Sequence, residues 1–245
     1  MKIRFAVLAA ALCCALGSSA SGQSASPVSV RDAAGFKILS LKGNNVRWYS
    51  QDKGQQPVVT YRLAGEEMAF PGAINCRKLK GLDELLAASG VSADAAKREL
   101  AAAFAMWEAV AGISFHEALE GAPADIVIGA QVEPEGQAFA DVFYDTASSE
   151  PIKPLTKALV CLNPKKPWKI GFTGDLGVYD LRYTFAHEIG HAIGLDHPAA
   201  AGQIMGFRYE ENFRQLQAGD IAGAIALYGR RRDTDIAIES SRRRP

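Results

Sequence analysis

The chain has 245 residues, with 27 Lys+Arg against 27 Asp+Glu and 48% apolar residues. That length suits one large domain or two small ones around an ordinary soluble core. The balanced charge excludes a global field that would draw nucleic acid or an anionic membrane.

Residues 1–20 read as a secretory signal: Lys2 and Arg4 form a positive start, "FAVLAAALCCALG" is an apolar run, and Ser18, Ser19 and Ala20 are small residues suited to cleavage. The run is too short for a transmembrane helix, and Leu12 before Cys13 argues against a lipid anchor. A secreted or periplasmic protein without a membrane anchor is expected. Beyond the leader only Cys76 and Cys161 remain. In an oxidising compartment one disulfide between them is the economical reading, and two buried thiols are the alternative.

Residues 21–45 are small, polar and aperiodic, and read as a flexible leader or short propeptide. Its Asp32 is a candidate carboxylate to cover a metal. A folded domain is expected over 46–229. "VVTYRLA" (Val58–Ala64) reads as a strand, and a short helical segment lies near Leu82–Ala88. A longer helix is predicted from Ala93 to Val110, with Ser92 as N-cap, Asp94 in its first turn and Gly112 beyond its end. Leu100, Phe104, Trp107 and Val110 or Ala111 give it one core face. "ISFHEAL", "ADIVIGA", "AFADVFYD" (Ala138–Asp145) and "LVCLN" are further strands, the last carrying Cys161. One helix is expected to contain Asp180–Ile193 and another to run over Ala218–Tyr228, where Gly229 ends it. Residues 230–245 form a charged tail without a core pattern and are expected to be disordered.

Three of the four histidines fall in "HEIGHAIGLDH". Spacing by four on a helix puts His187 and His191 on one face, about 6 Å apart along the axis, so their rings converge. Gly194 can adopt the left-handed conformation that turns the chain and returns His197 as a third ligand. Three neutral imidazoles leave one zinc position open, the catalytic pattern. Glu188 then stands beside the metal as a base that can take a proton from water. His116, alone on a strand pattern, reads as a surface or satisfied core residue.

HExxHxxGxxH followed by a methionine resembles the metzincin zinc peptidases. Met205, eight residues after His197, and Tyr209, four further on, resemble the matrixin branch, as do "AFAMWEAVAGISF", "ADIVIGA" and "GDIAGAIALYG". Pro198 departs from the Ser or Thr usual there, and Cys76 does not match the matrixin latency cysteine. The resemblance implies an α+β catalytic domain of the zincin type. Its parts are a twisted, mixed five-stranded sheet, three main helices with HExxH on the active-site helix, and a Met-turn at Met205 below the zinc. It implies a zinc-dependent endopeptidase acting on peptide or protein substrates, with one catalytic Zn2+ and Glu188 as general base. Substrate would lie along the edge strand at Phe139, Ala140 and Asp141. Tyr183 would form the base of the specificity pocket, with Phe207 and Tyr209 along its wall. Structural Ca2+ on Asp141, Asp145, Asp175 or Asp180 stays open, and a monomer is expected. A zinc-carrying binding domain that lost turnover is the alternative, and retention of Glu188 argues against it.

Overall fold

The computed structural model describes residues 35–231, apart from Lys53 and Glu120. The expected signal segment 1–20, Asp32 and the tail beyond Arg231 lie outside the described residues. Three short strands come first: β1 (Lys37–Ile38), β2 (Ser40–Leu41) and β3 (Asn44–Arg47). Next are β4 (Val58–Leu63), β5 (Met68–Ala69) and β6 (Lys78–Lys80), then helices α1 (Asp83–Ala88) and α2 (Ala93–Glu108). Strands β7 (Ser114–Glu117), β8 (Ile126–Gln131), β9 (Ala138–Tyr144), β10 (Lys153–Leu162), β11 (Trp168–Lys169) and β12 (Tyr179–Asp180) follow. Helix α3 (Leu181–Ala192), strand β13 (Leu195–Asp196) and helix α4 (Ala218–Tyr228) complete the order.

Strands β7, β4, β8 and β10 run parallel in that order, and β9 adds antiparallel to β10. These five are the strands expected from the pattern, and β2, β3, β5 and β6 extend the sheet to nine. Parallel strands need cover on both faces, and all six residues of β8 are buried. Ile126, Ile128 and Ala130 join the main core with α2 and α3, while Val127 packs with Leu79, Leu159 and Cys161 on the opposite face. That smaller core is closed by a disulfide between Cys76 and Cys161, which decides between the two cysteine readings. Closing a loop over 85 residues stabilises the fold by about 4–5 kcal/mol on the chain-entropy account.

Helix α2 starts as expected, with Ser92 Oγ accepting from Ala95 N at 3.2 Å. It ends at Glu108, two residues earlier than the pattern suggests. The Glu108 carboxylate accepts from Phe115 N at 3.2 Å and bends the chain toward β7. At the crossing, a β-carbon on Gly112 would lie 2.7 Å from Tyr228 O, so only glycine passes α4 there. Trp107 is fully buried, and its indole donates to Ala186 O at 2.9 Å, tying α2 to α3.

The ordered chain differs from the expected start at Val46. Residues before it already form β1, paired with β13, and β2, paired with β3. Two-residue strands carry too little alternation to be read from a pattern. Likewise β10 begins at Lys153, ahead of "LVCLN", because its first residues pair with β3.

Candidate metal centre and substrate cleft

Asp180 starts α3 by accepting from Tyr183 N at 2.9 Å. It is fully buried, and Arg214 holds both of its oxygens at 3.0 and 2.8 Å. Arg214 also reaches Glu99 at 2.8 Å, and Arg182 of α3 grips that same carboxylate at 2.7 and 3.0 Å. Such shared charge-assisted bonds lock the helix start against α2. One face of α3 then carries His187 and His191. Gly194 follows with φ +102°, and a β-carbon there would lie 2.3 Å from Val46 O. Conformation and space both demand glycine, and the turn brings His197 back.

The three Nε2 atoms lie 3.2, 3.1 and 3.1 Å apart. Tetrahedral zinc with bonds of about 2.0–2.1 Å separates its ligand nitrogens by about 3.3 Å, so the triangle fits that ion. His187 Nδ1 lies 2.7 Å from Ile204 O, and His191 Nδ1 2.8 Å from Leu195 O. Each Nδ1–H therefore donates outward to a carbonyl and leaves the Nε2 lone pair directed inward. Burial, then the neighbouring imidazoles, push His187 down to about 3 and His191 to about 4, so both stay neutral at ordinary pH. Burial lowers His197 as well. Among the described residues, no other group of three His, Cys, Asp or Glu side chains converges in this way.

Glu188 lies beside the triangle, 5% exposed, and burial pushes its carboxyl up to about 8. Met205 is buried beneath α3, where a β-carbon on Gly190 would come within 2.1 Å of its sulfur. Its turn is held by Asp220 of α4, which accepts from Ile204 N at 2.8 Å and Met205 N at 3.0 Å. Ile204 is the residue whose carbonyl orients His187, so α4 supports the site through that turn.

The histidines open into a cleft of about 540 Å³, walled by β9 on one side and by Gly72–Asn75 on another. Among the described residues β9 pairs only with β10, so its other edge faces this space. Phe139 and Ala140 line the cleft. The Asp141 carboxylate is held by that second wall, accepting from the backbone N of Ile74, Asn75 and Cys76 at 2.8–2.9 Å and from Asn75 Nδ2 at 3.0 Å. Tyr183, 3% exposed, meets Tyr209 edge-on at 5.0 Å, while Phe207 is 80% exposed and stands edge-on to His197 at 5.2 Å.

The carboxylates considered for calcium have other partners. Asp141 and Asp180 are engaged as described, while Asp145 accepts from Ala147 N and Asp175 from Gly177 N, both at 2.9 Å. Reading the chain missed Gly190 and Asp220. A glycine inside a helix costs about 1 kcal/mol against alanine, which is a signal for Gly190. For Asp220 the one signal is an acid in the first turn of α4, which pattern alone assigns to the dipole.

Similar proteins align with parts of the chain. The 72 kDa type IV collagenase of Gallus gallus is 45% identical over 62 residues, 24% of this chain and 9% of the relative. Matrix metalloproteinase-23 of Rattus norvegicus is 28% identical over 151 residues, 57% of this chain and 38% of its own length. The Homo sapiens protein of that name is 28% identical over 145 residues, 54% of this chain and 37% of its own. The chain thus spans well under half the length of these relatives. A family model described as Matrixin matches residues 85–229, from within α1 to the glycine that ends α4. With more than half of its length matched and the whole histidine site inside the match, the chain belongs to the matrixin family.

Proposed function

We propose that the protein is a secreted endopeptidase that hydrolyses peptide bonds with one catalytic zinc and Glu188 as general base. The triangle of inward-facing imidazole nitrogens carries this reading. Bound among them, zinc supplies the Lewis acidity that activates a water and polarises the scissile carbonyl. Glu188 accepts a proton from the attacking water as the C–O bond forms, and delivers it to the amine as the C–N bond breaks. Tyr209 is not free to assist the oxyanion, because its hydroxyl accepts from Asp180 N at 2.9 Å and donates to Glu211 at 2.8 Å.

The peptide lies extended along the open edge of β9 at Phe139 and Ala140, adding itself by main-chain hydrogen bonds. Asp141 contributes its backbone there. Tyr183 and Tyr209 close the specificity pocket and favour a medium apolar side chain such as leucine, with Phe207 as an apolar rim. Collagenase and metalloproteinase relatives support a peptide or protein substrate, and the disulfide suits an oxidising compartment. The protein acts as a monomer. None of the described helices is long and apolar enough to cross a membrane.

Cleavage profiling of a diverse peptide library, with products sequenced, tests this reading. Cleavage should stop with a chelator, return with zinc, and favour leucine-like residues after the cut. Zinc-loaded protein that cuts nothing overturns it in favour of a binding domain.

A further inference from the structure

His197 is the one histidine of the three that α3 does not carry. It follows β13, and both residues of that strand serve the site. Leu195 O faces His191 Nδ1 at 2.8 Å, and Asp196 Oδ1 accepts from His197 N at 2.8 Å. Among the described residues β13 has a single strand partner, β1, with Lys37 opposite Asp196 and Ile38 opposite Leu195. Leu39 N continues the contact by donating to Gly194 O at 2.8 Å. Lys37 Nζ lies 2.7 Å from Asp196 Oδ2. The Asp196 carboxylate is thus held between an ammonium on one oxygen and the backbone of His197 on the other.

The segment leading into β1 is seated where side chains would not fit. A β-carbon on Gly219 would lie 2.0 Å from Gly35 O, and one on Gly223 would lie 2.9 Å from Leu195 and 3.1 Å from Phe36. Ile38 is 7% exposed, and Leu39 and Leu41 continue into the cleft wall.

We propose that β1 is a splint for the metal centre, and that Lys37 is a positioning residue for His197, acting through Asp196. A two-residue strand held by no neighbour frays, because its few hydrogen bonds do not offset the entropy of ordering it. Pairing with β1 removes that freedom from the stretch that orients two imidazoles. The ion pair holds the carboxylate in the rotamer that receives His197 N. Groups that orient metal ligands in this way typically change metal affinity 10- to 100-fold when removed. The inference rests on the reading that the three histidines hold zinc.

Purified full-length wild type, Lys37→Ala, Lys37→Arg and Asp196→Ala are loaded with zinc, and its release to a chromophoric chelator is timed. Lys37→Ala should release zinc about 10- to 100-fold faster than wild type. Asp196→Ala should be at least as fast, and Lys37→Arg should restore the slow rate. The ligand-field spectrum of the cobalt(II)-substituted Lys37→Ala should shift, while the melting temperature of the zinc-free proteins stays that of wild type. Zinc release from Lys37→Ala at the wild-type rate overturns the proposal. So does a variant that melts earlier yet releases zinc no faster, since β1 then has a purely structural role. A wild type that takes up no zinc removes the zinc reading itself, and the splint with it.

Discussion

Gly190 and Met205 meet beneath the histidine triangle so closely that a β-carbon on the glycine would lie 2.1 Å from the sulfur and 3.0 Å from both Met205 Cε and Trp107 Cζ2. A helix interior ordinarily gains about 1 kcal/mol when Gly becomes Ala. Here the overlap reverses the sign, and Gly190→Ala should destabilise by about 1–3 kcal/mol, as overpacked cores do. Denaturant unfolding of the zinc-free protein reads this directly. A variant as stable as wild type means that Met205 moves aside at no cost.

In the proposed mechanism Glu188 has one role that zinc binding does not share. Glu188→Gln keeps the volume and removes the base, so zinc content should match wild type while kcat falls about 10²- to 10⁴-fold. Metal analysis beside turnover separates the two. A variant that keeps wild-type kcat assigns the proton to another group.

Acid should weaken the wall of the pocket through Glu211. Burial alone would raise its carboxyl, but Lys169, Gly174 N, Tyr209 and Thr173 N outweigh that and hold it at about 2, against an ordinary 4.5. A group depressed on folding contributes stability above its unfolded value and loses that contribution as pH falls to the folded one. Wild type should therefore be more stable than Glu211→Gln at pH 6–8, and the gap should close between about pH 4.5 and 2. Chemical melts across that window check it; a gap independent of pH removes the role of the charge.

The disulfide closes the smaller core and anchors the end of the Gly72–Asn75 rim, because Cys76 N donates to Asp141. Replacing both cysteines with serine should cost about 2–5 kcal/mol. Peptide KM should rise as the rim loosens. Calorimetry and steady-state kinetics test the two parts separately, and unchanged KM would detach the rim from substrate binding.

Tyr183 lines the cleft and packs edge-on against Tyr209, and the proposed pocket has it as its base. Tyr183→Ala should deepen the pocket and admit larger side chains after the cut, read by library profiling. An unchanged profile would make Tyr183 a core residue only.

Residues close in the chain explain what the amino-acid sequence alone could disclose. His187, Glu188 and His191 occupy one helix, so helical geometry sets their mutual positions before any packing, and Gly194 marks the turn that leads to His197. The five long strands and the faces of α2 and α3 were likewise written in local periodicity. Tertiary structure decided the rest. Asp141 belongs to a strand by pattern, but only packing turned its carboxylate onto Ile74–Cys76. Asp220 looked like a helix-start acid until folding set it under Met205. Lys37 stood in an aperiodic leader until β1 met β13. A lone carboxylate or ammonium carries no period, and its partner is chosen by contacts between distant segments, which form only when the chain has folded.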